Sequence, residues 1–374
     1  MKVSKVLVKT KNKKYPIYIG NNLLDNLINI FKSNLPAVKK IAIIADKNLP
    51  TKAVNKLKIS LKKFKPIIYR LHSVDNLKNI QSAMKLTESL LKNNFNRSDC
   101  VIAFGGGVIG DLSSFVSSIT KRGINFVNIP TTLLAQADAA IGGKTGINSK
   151  QGKNLIGTFH QPEFVLIDLS LLKTLSHREM ICGYGEILKH SLILDKKFFS
   201  WLTRNGNKVI LKKSQALKYA IIKSCKIKAK IVELDERESN QRMILNFGHT
   251  FGHAFEAVKK FSRKLNHGEG VILGMIIASE ISVNKKILPS KDYNLIKKHY
   301  INLKLPMEIK DYFNKEDIKK IIYFMKKDKK NFTNKINLIL LRKIGKVFTH
   351  KIALFNIKDI EKILNSKISN YSSI

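Results

Sequence analysis

The sequence VIAFGGGVIGD at residues 101–111 joins a short apolar run to a glycine-rich turn and then to a helical pattern. The run Val101–Phe104 has the length and composition of a buried strand. Glycines spaced as G-x-G-x-x-G allow the backbone to approach phosphate oxygens, and the start of the following helix favours their negative charge. A tight turn between strand and helix would use the same glycines. The motif therefore predicts a strand and a helix, with either a dinucleotide site or a structural turn between them.

Strand and helix signals alternate on both sides of this turn. The strand signals lie at Val6–Thr10, Ile17–Ile19, Ile41–Ala45, Pro66–Leu71 and Phe126–Ile129. Helical periodicity follows some of them, from about Thr51 and again at Leu77–Leu91. Such alternation predicts a parallel sheet that helices cover on both faces.

Beyond about Leu169 the pattern becomes mainly helical. The helical stretches lie at Leu171–Leu202, Ile210–Glu233, Ile244–Phe261 and Gly270–Lys286, and the next strand signal comes only at Asn337–Leu341. We therefore expect a Rossmann-like, NAD-binding α/β domain at residues 1–170. A mainly α-helical domain, carrying metal and substrate residues, is expected at residues 171–374.

The charge of the chain first suggests a nucleic acid or an anionic membrane as partner. Lys and Arg total 68 against 27 Asp and Glu, a formal charge of +41. The lysines are spread from Lys2 to Lys367 and form no basic cluster interleaved with aromatic residues. A coding bias towards Lys, Ile and Asn gives the same composition with a solvated surface. We therefore expect neither nucleic acid nor membrane as partner, although a basic field attracts anionic substrates.

Cysteine usage and hydropathy indicate a cytoplasmic protein. Cys100, Cys182 and Cys225 are too few and too scattered for a disulfide framework. The first twenty residues alternate charged and apolar types, unlike a secretory signal. No apolar run approaches the roughly 18 residues of a membrane helix.

The glycine turn lacks one part of the dehydrogenase pattern. An acid that binds the ribose is expected about 20 residues after the glycines. After Asp111, however, the next acidic residue is Asp138. Asp46 and Asn48 follow the strand at Ile41–Ala45 and would reach the same edge of the sheet. These two residues are our candidates for the ribose contact.

A segment rich in glycine and lysine follows at residues 130–162. Asp138, Lys144, Lys153 and Asn154 lie there among small residues. Lysines in such loops reach inward as donors to phosphate or carboxylate, or stay on the surface as in the rest of this lysine-rich chain. The Gly-Gly-Lys-Thr-Gly context of Lys144 favours the first interpretation.

Metal-binding residue types gather in the helical half. Glu186 and Lys189 lie one helical turn apart, His249 and His253 are four residues apart, and His267 follows. The glutamate of H-E-x-x-H is absent, which excludes that type of metalloprotease. One Glu with two His leaves an open position on a catalytic metal. Which two histidines bind is left open, as is a purely structural role for these histidines.

Together the motifs resemble the 3-dehydroquinate synthase family, a group of sugar-phosphate cyclases. The matching segments are FGGGVIGDL, KRGINFVNIPTTLLAQADAAIGGKTGIN, GKNLIGTFHQP, LKTLSHRE, GYGEILKH, LNFGHTFGHAFE, LNHGEGV and KKDKKN, with Lys228 and Arg242. The resemblance as a whole runs in order from about residue 41 to 346, so it spans nearly the whole chain. Single motifs are weak, but this ordered set is specific.

The resemblance implies a role for each matching residue. One divalent metal, Zn or Co, would be held by Glu186, His249 and His267, with His253 on the substrate side. NAD would contact Asp46, Asn48, Asp75, Lys78, Gly107, Val108, Ile109, Gly110, Asp111, Thr131, Thr132, Lys144, Lys153 and Thr174. Catalytic and substrate contacts would come from Lys144, Lys189, Lys228, Arg242, Asn246, His253, Asp138, Asn154 and Lys329 or Lys330. Arg122 would reach the phosphate pocket of a neighbouring subunit, which implies a homodimer.

The chain departs from the family pattern at two places. The family usually has Pro-x-Gly-Glu-x-x-Lys where this chain has HSVDNLK at residues 72–78, so the acid, Asp75, is one methylene shorter. We expect this change to affect contacts with NAD. The usual Asp-Ser-Ser is Asp138-Ala139-Ala140, a milder change.

The implied reaction converts 3-deoxy-D-arabino-heptulosonate 7-phosphate to 3-dehydroquinate and phosphate. It belongs to the shikimate pathway to aromatic amino acids, and it recycles NAD through oxidation, phosphate elimination, reduction, ring opening and aldol closure. The alternatives are another cyclase, such as a 2-deoxy-scyllo-inosose synthase, or a metal-dependent polyol dehydrogenase that releases NADH. Lys144, Asn246, Arg242 and the run Asp328-Lys329-Lys330 favour dehydroquinate.

Overall fold

The computed structural model describes residues 3–327, 335–348 and 353–369. Lys329 and Lys330, the predicted substrate contacts, lie outside the described residues. The chain forms two compact units, Met1–Met180 with Lys212–Arg242, and Ile181–Leu211 with Met243–Ile374. The first unit thus takes in residues 212–242, which the sequence analysis assigned to the helical part. The division at residue 170 stays a prediction.

The β-strands are β1 (Ser4–Lys9), β2 (Lys14–Gly20), β3 (Ile41–Asp46), β4 (Ile67–Leu71), β5 (Cys100–Gly105), β6 (Asn125–Pro130), β7 (Ile147–Ser149), β8 (Gly152–Ile156), β9 (Phe164–Asp168), β10 (Lys335–Leu338), β11 (Leu341–Lys343), β12 (Lys346–Val347) and β13 (Ala353–Asn356). The α-helices are α1 (Leu27–Asn34), α2 (Thr51–Ser60), α3 (Ile80–Lys92), α4 (Gly107–Ile119), α5 (His177–Leu194), α6 (Lys196–Ile210), α7 (Ser214–Leu234), α8 (His249–Val258), α9 (His267–Asn284), α10 (Ser290–Leu303), α11 (Lys315–Lys326) and α12 (Ile357–Ser369).

The first unit is built on a seven-stranded sheet of order β1-β2-β9-β6-β5-β3-β4. All its pairings are parallel except that of β1 with β2 at one edge. Strand β5 is buried throughout, because a central parallel strand is covered on both faces. The predicted α/β fold of this part is confirmed.

Alternate residues of the central strands supply two separate cores. Ile43 and Ile102 pack on one face with residues of α1 and α2. Ile44 and Val101 pack on the other face with residues of α3 and α4. The period of two along a strand places neighbouring side chains on opposite faces, so a continuous apolar run serves both cores.

The structure also differs from the predicted elements. Strand β9 and the hairpin of β7 and β8 were not predicted. The residues Leu171–Leu202 were predicted as one helical stretch, but a 3-10 turn at Leu169–Thr174 comes first, and α5 is separated from α6 at Asp195. The Asp195 carboxylate accepts the Phe198 N–H and so caps the start of α6.

The second unit is mainly helical, as predicted. It adds two small antiparallel sheets, β10 with β13 and β11 with β12. Helix α9 is apolar on all sides and buried along most of its length, the pattern of a central core helix. Within the described ranges, no helix combines the length and apolarity that a membrane span requires.

Candidate active site

The glycine turn of the first unit lies between β5 and α4. A side chain at Gly105 would place its Cβ 2.7 Å from the Cβ of Ile109, so only glycine fits there. The Gly105 carbonyl accepts the Thr131 N–H at 2.9 Å. A pocket adjoins the turn and is lined by Gly106, Gly107, Gly110, Asp111, Asn128, Lys144 and His160, among others. The amino end of α4 therefore offers an anion site beside a positively charged side chain.

Asp46 ends the strand next to β5. Because Ala45 pairs with Phe104 in parallel register, Asp46 and Gly105 lie at the same edge of the sheet. The Asn48 N–H donates to the Asp46 carboxylate at 2.9 Å. The structure thus brings the two candidates for ribose binding to the edge that carries the glycine turn.

The divergent segment at residues 72–78 forms one ion pair with Asp111 of the glycine turn and another with Lys153 of β8. Lys78 Nζ lies 2.6 Å from the Asp111 carboxylate and donates to Asn154 Oδ1 at 2.6 Å. Lys153 Nζ lies 2.8 Å from the Asp75 carboxylate. Lys78 is almost fully buried. Five predicted site residues from three separate segments therefore form one network.

A second group surrounds Asp138, which lies in a single π-helical turn at Ala135–Ala139. Lys228 Nζ lies 2.8 Å from the Asp138 carboxylate and donates to the Asp138 carbonyl at 2.7 Å. Lys144 forms an ion pair with Glu238, a residue that the sequence analysis did not single out. No motif or spacing marks Glu238, so only the fold reveals it.

Arg242 is buried with its guanidinium against the Gly-Gly-Lys loop. Its Nη1 donates to the carbonyls of Gly142 at 3.1 Å and Glu236 at 2.5 Å. Gly142 has φ +98°, and a Cβ there would lie 2.4 Å from Arg242 Nη2, which explains the glycine. Burial lowers the pKa of Arg242 below its ordinary value, although nearby Glu238 opposes this effect.

Asp235 holds the backbone that carries Arg242. Its carboxylate accepts the N–H groups of Ser239 at 3.0 Å, Asn240 at 2.8 Å and Arg242 at 3.0 Å. Burial raises the pKa of Asp235, but these hydrogen bonds outweigh it and lower the pKa to about 2. The loop thus positions the arginine through a carboxylate that stays ionised.

The other predicted residues of the first unit lie apart from these networks or at their margins. Thr131 is buried after β6, and Thr132 Oγ1 accepts the Ala135 N–H at 3.2 Å. Thr174 is exposed at the end of its 3-10 turn. Arg122 is exposed in a left-handed conformation with φ +63°. Its predicted reach into a neighbouring subunit stays a prediction.

The second unit brings Glu186, His249 and His267 together. The distance from Glu186 Oε1 is 3.6 Å to His249 Nε2 and 3.9 Å to His267 Nε2. Candidate ligand atoms of all three lie within 4.8 Å of one another. Ligands at about 2.0–2.2 Å from a tetrahedral zinc lie roughly 3.4 Å apart, so the observed spacing fits a divalent cation.

Close helix packing creates this convergence. A Cβ at Gly268 would lie 2.3 Å from Cys182 Cα, so the start of α9 rests directly on α5. A Cβ at Gly274 would lie 2.0 Å from the Gly248 carbonyl oxygen, so α9 also rests on the start of α8. His267 and His249 begin these two helices, and both therefore face the turn of α5 that carries Glu186.

The carboxylate of Glu186 is the least satisfied group of the set. Its side chain is 1% exposed, and its Oε2 forms an ion pair with Lys189. Oε1 accepts no hydrogen bond from the part of the chain that the structure describes. A buried carboxylate oxygen without a donor is costly. A cation between Oε1 and the two imidazoles would remove that cost, so these residues fit a metal.

His253 and Asn246 lie on either side of His249 in the sequence. His253 is exposed, and its ring centroid lies 5.3 Å from that of His249 and 5.9 Å from that of His267. Candidate ligand atoms of His253 cluster with Glu256 and His267 rather than with Glu186. Asn246 Nδ2 donates to the Met243 carbonyl at 3.1 Å.

Glu256 is a further residue that the sequence analysis missed. Its carboxylate lies 2.8 Å from His267 Nδ1, and the residue is buried. A signal was present, because Glu256 follows His249 by seven residues and so lies on the same face of α8.

Comparison with known proteins gives relatives over nearly the whole chain. Family models described as the N-terminal and C-terminal parts of 3-dehydroquinate synthase match residues 68–182 and 183–331. The 3-dehydroquinate synthase of Pelagibacter ubique (strain HTCC1062) is 49% identical over 344 residues, 92% of this chain and 94% of that protein. The 3-dehydroquinate synthase of Thermoanaerobacter sp. (strain X514) is 41% identical and covers 90% of this chain and 93% of its own length.

Solved structures show the same fold at lower identity. A 2-deoxy-scyllo-inosose synthase complexed with carbaglucose-6-phosphate, NAD+ and Co2+ has a TM-score of 0.85 at 23% identity, over 97% of this chain and 100% of that one. A 2-epi-5-epi-valiolone synthase from Streptomyces hygroscopicus with NAD+ and Zn2+ bound has a TM-score of 0.83 at 23% identity, over 99% of both chains. On the strength of the close sequence relatives, this chain belongs to the 3-dehydroquinate synthase family.

Proposed function

We propose that the chain catalyses the 3-dehydroquinate synthase reaction, with NAD and one divalent metal, zinc or cobalt. The substrate is 3-deoxy-D-arabino-heptulosonate 7-phosphate, and the products are 3-dehydroquinate and phosphate. The observation that carries the proposal is the convergence of Glu186, His249 and His267 on one cation-sized position. Relatives named 3-dehydroquinate synthase, one of them 49% identical to this chain, support the choice of reaction.

Glu186, His249 and His267 would hold the metal. When bound, it supplies Lewis acidity to the hydroxyl and carbonyl oxygens of the substrate. Lys189 balances the buried charge of Glu186 and would bind the carbonyl side of the substrate. His253, exposed beside the imidazole pair, would transfer a proton.

The glycine turn at Gly107–Asp111 would bind the NAD pyrophosphate at the start of α4, and Asp46 and Asn48 would bind its ribose. NAD, when bound, would supply reversible hydride transfer, so the cofactor would be regenerated within one turnover. Oxidation of the substrate to a ketone would acidify the neighbouring C–H bond and so make phosphate loss feasible. The network of Asp75 and Lys78 would hold the cofactor side of the site in place.

The cationic side chains of the first unit would bind the substrate's anionic groups. Lys153, Asn154 and Arg242 would hold the phosphate, leaving a phosphate oxygen placed to act as base. Lys144, Lys228 and Asn246 would engage the polyol and the carboxylate, with Asp138 orienting Lys228. Fixed cations arranged in advance stabilise developing charge without reorganisation during the reaction.

We further propose a cytoplasmic homodimer in which Arg122 contacts the phosphate of the neighbouring subunit. Its exposure and its left-handed turn support a role outside its own core. Thr131, Thr132 and Thr174 are proposed as cofactor contacts on the same family basis.

The test combines the purified chain, the seven-carbon phosphate, NAD and zinc, and follows phosphate and NADH together. We expect phosphate release and carbocycle formation without net NADH. Net NADH from polyols such as glycerol would instead identify a dehydrogenase. A preference for glucose 6-phosphate would identify an inosose-forming cyclase. Either result contradicts the proposal.

A further inference from the structure

The carboxylate of Glu256 contacts His267 on the side of the imidazole that faces away from Glu186. The distance from Glu256 Oε2 to His267 Nδ1 is 2.8 Å, and Glu256 is only 4% exposed. Helix α8 carries both His249 and Glu256, two turns apart, so one helix supplies a candidate metal ligand and a contact to a second candidate ligand, His267. Glu256 is not one of the three proposed metal ligands, so this contact is additional to the metal site itself.

This contact decides which ring nitrogen of His267 carries the proton. An ionised carboxylate only accepts hydrogen bonds, so Nδ1 must be the donor. The lone pair of a neutral His267 is then on Nε2, the nitrogen that lies 3.9 Å from Glu186 Oε1. The Glu256 contact thus fixes both the tautomer and the rotation of the ring.

The other imidazole is held differently. His249 Nδ1 lies 3.4 Å from the Phe247 carbonyl, a long contact with a neutral acceptor. Hydrogen bonds to an ionised partner are about twice as strong as those between neutral groups. Of the two histidines, His267 is also the more exposed, with 35% of its side chain accessible against 12% for His249. It therefore gains more from a partner that holds it.

We propose that Glu256 is a positioning residue that orients His267 and so increases the affinity of the site for its metal. This inference rests on the metal site of the proposed function. Such outer partners of metal-bound histidines typically change metal affinity by about 10- to 100-fold. Glu256 touches neither substrate nor cofactor in this role, because it acts only through the imidazole.

Zinc affinity of the chelator-stripped protein, measured by competition with a chromogenic chelator, tests the proposal. We expect Glu256→Ala to raise the zinc Kd by about 10- to 100-fold. Glu256→Gln keeps an acceptor of the same length without the charge, so its increase is expected to be smaller. The matched control is Glu280→Gln on α9, where the carboxylate accepts from Tyr293 Oη at 3.1 Å; its Kd is expected to be unchanged.

Two further readouts separate positioning from a structural role. The visible spectrum of the cobalt-loaded protein reports ligand geometry, and it is expected to change in Glu256→Ala but not in Glu280→Gln. Thermal unfolding of the metal-free variants reports stability alone. If Glu256→Ala does not fold, the zinc Kd values of Glu256→Gln and Glu280→Gln are compared instead, and only Glu256→Gln is expected to bind zinc more weakly than wild type.

The outcomes are distinct from those that test the reaction. Equal zinc affinities in wild type and both Glu256 variants overturn the positioning role. Loss of one of two bound zinc ions in Glu256→Ala also overturns it, because Glu256 would then be a ligand in the group with His253 and His267. Zinc binding that depends on Glu256 without phosphate release refutes the proposed reaction and supports the inference. A wild type that binds no zinc refutes both.

Discussion

Lys189 forms an ion pair with Glu186 one helical turn earlier on α5, and both side chains are only 1% exposed. Removing one partner of a buried pair leaves the other charge uncompensated and costs about 3–5 kcal/mol. A metal bound to Glu186 would partly replace the lost ammonium group. Lys189→Met is therefore expected to lower the unfolding temperature of the metal-free protein clearly, and that of the zinc-loaded protein much less. Calorimetry with and without zinc measures this difference. An equal fall in unfolding temperature in both states would contradict the prediction that a metal on Glu186 compensates for the lost ammonium group.

Replacing either of two proposed metal ligands is expected to reduce turnover strongly while the protein still folds. A metal acting as Lewis acid contributes several kcal/mol to the transition state, so Glu186→Gln or His249→Ala should lower kcat by about three orders of magnitude. Phosphate release measures activity, and circular dichroism checks the fold. Full activity after thorough metal removal would refute the metal role itself.

The Asp235 carboxylate, which accepts the Arg242 N–H, is expected to make a pH-dependent contribution to the free energy of unfolding. The pKa of Asp235 is lowered to about 2, so its contribution to stability is complete above its unfolded value, about 3.9. That contribution is lost as the pH falls through about 2. Asp235→Asn should therefore cost about 1–2 kcal/mol at neutral pH, and the difference from wild type should shrink between about pH 4 and pH 2. Urea titrations across this range measure it; a difference that does not change with pH would show that the charge is unimportant.

Lys78 connects the glycine turn to the hairpin of β7 and β8. Lys78→Met would remove the shared donor of Asp111 and Asn154, and a hydrogen bond to a charged group contributes about 1.5–3 kcal/mol. We expect NAD to bind at least about tenfold more weakly, as measured by isothermal titration. Lys85→Met, on the exposed face of α3, is the control and should bind NAD as wild type does. If Lys78→Met binds NAD as tightly as wild type, the Lys78 contacts do not contribute to NAD binding and only stabilise the fold.

Complementation between two inactive variants tests the shared site of the proposed dimer. Arg122→Ala and Glu186→Gln should each be inactive as homodimers. After equal mixing with subunit exchange, each mixed dimer would contain one intact site, and activity should return to about one quarter of wild type. If Arg122 served its own subunit, both sites of a mixed dimer would be defective. Absence of recovery, with exchange shown by native mass spectrometry, would then exclude the shared site.

Much of the fold was predictable from local patterns. The runs at Ile41–Ala45 and Val101–Phe104 became neighbouring parallel strands, and the glycine turn lies between a strand and a helix as predicted. Predicted boundaries failed where capping decides them, as at Asp195 between α5 and α6. The hairpin of β7 and β8 was missed because its short, polar strands carry no clear alternation.

The sequence by itself determined the alternation of strands and helices around the glycine turn, the types of the candidate metal-binding residues and the family. These depend on residues near one another in the chain, whose periodicity and spacing are directly visible. Residue types and spacing alone left open which two of His249, His253 and His267 bind a metal, and only the family resemblance implied His249 and His267.

Only the tertiary structure decided which histidines face Glu186. Glycines at 248, 268 and 274 let α8 and α9 pack closely enough for the first residues of both helices to meet the buried carboxylate. The tertiary structure also revealed Glu256 as a partner of His267 and Glu238 as a partner of Lys144. These residues are distant in the sequence or carry no motif, so only folding brings them within hydrogen-bonding distance.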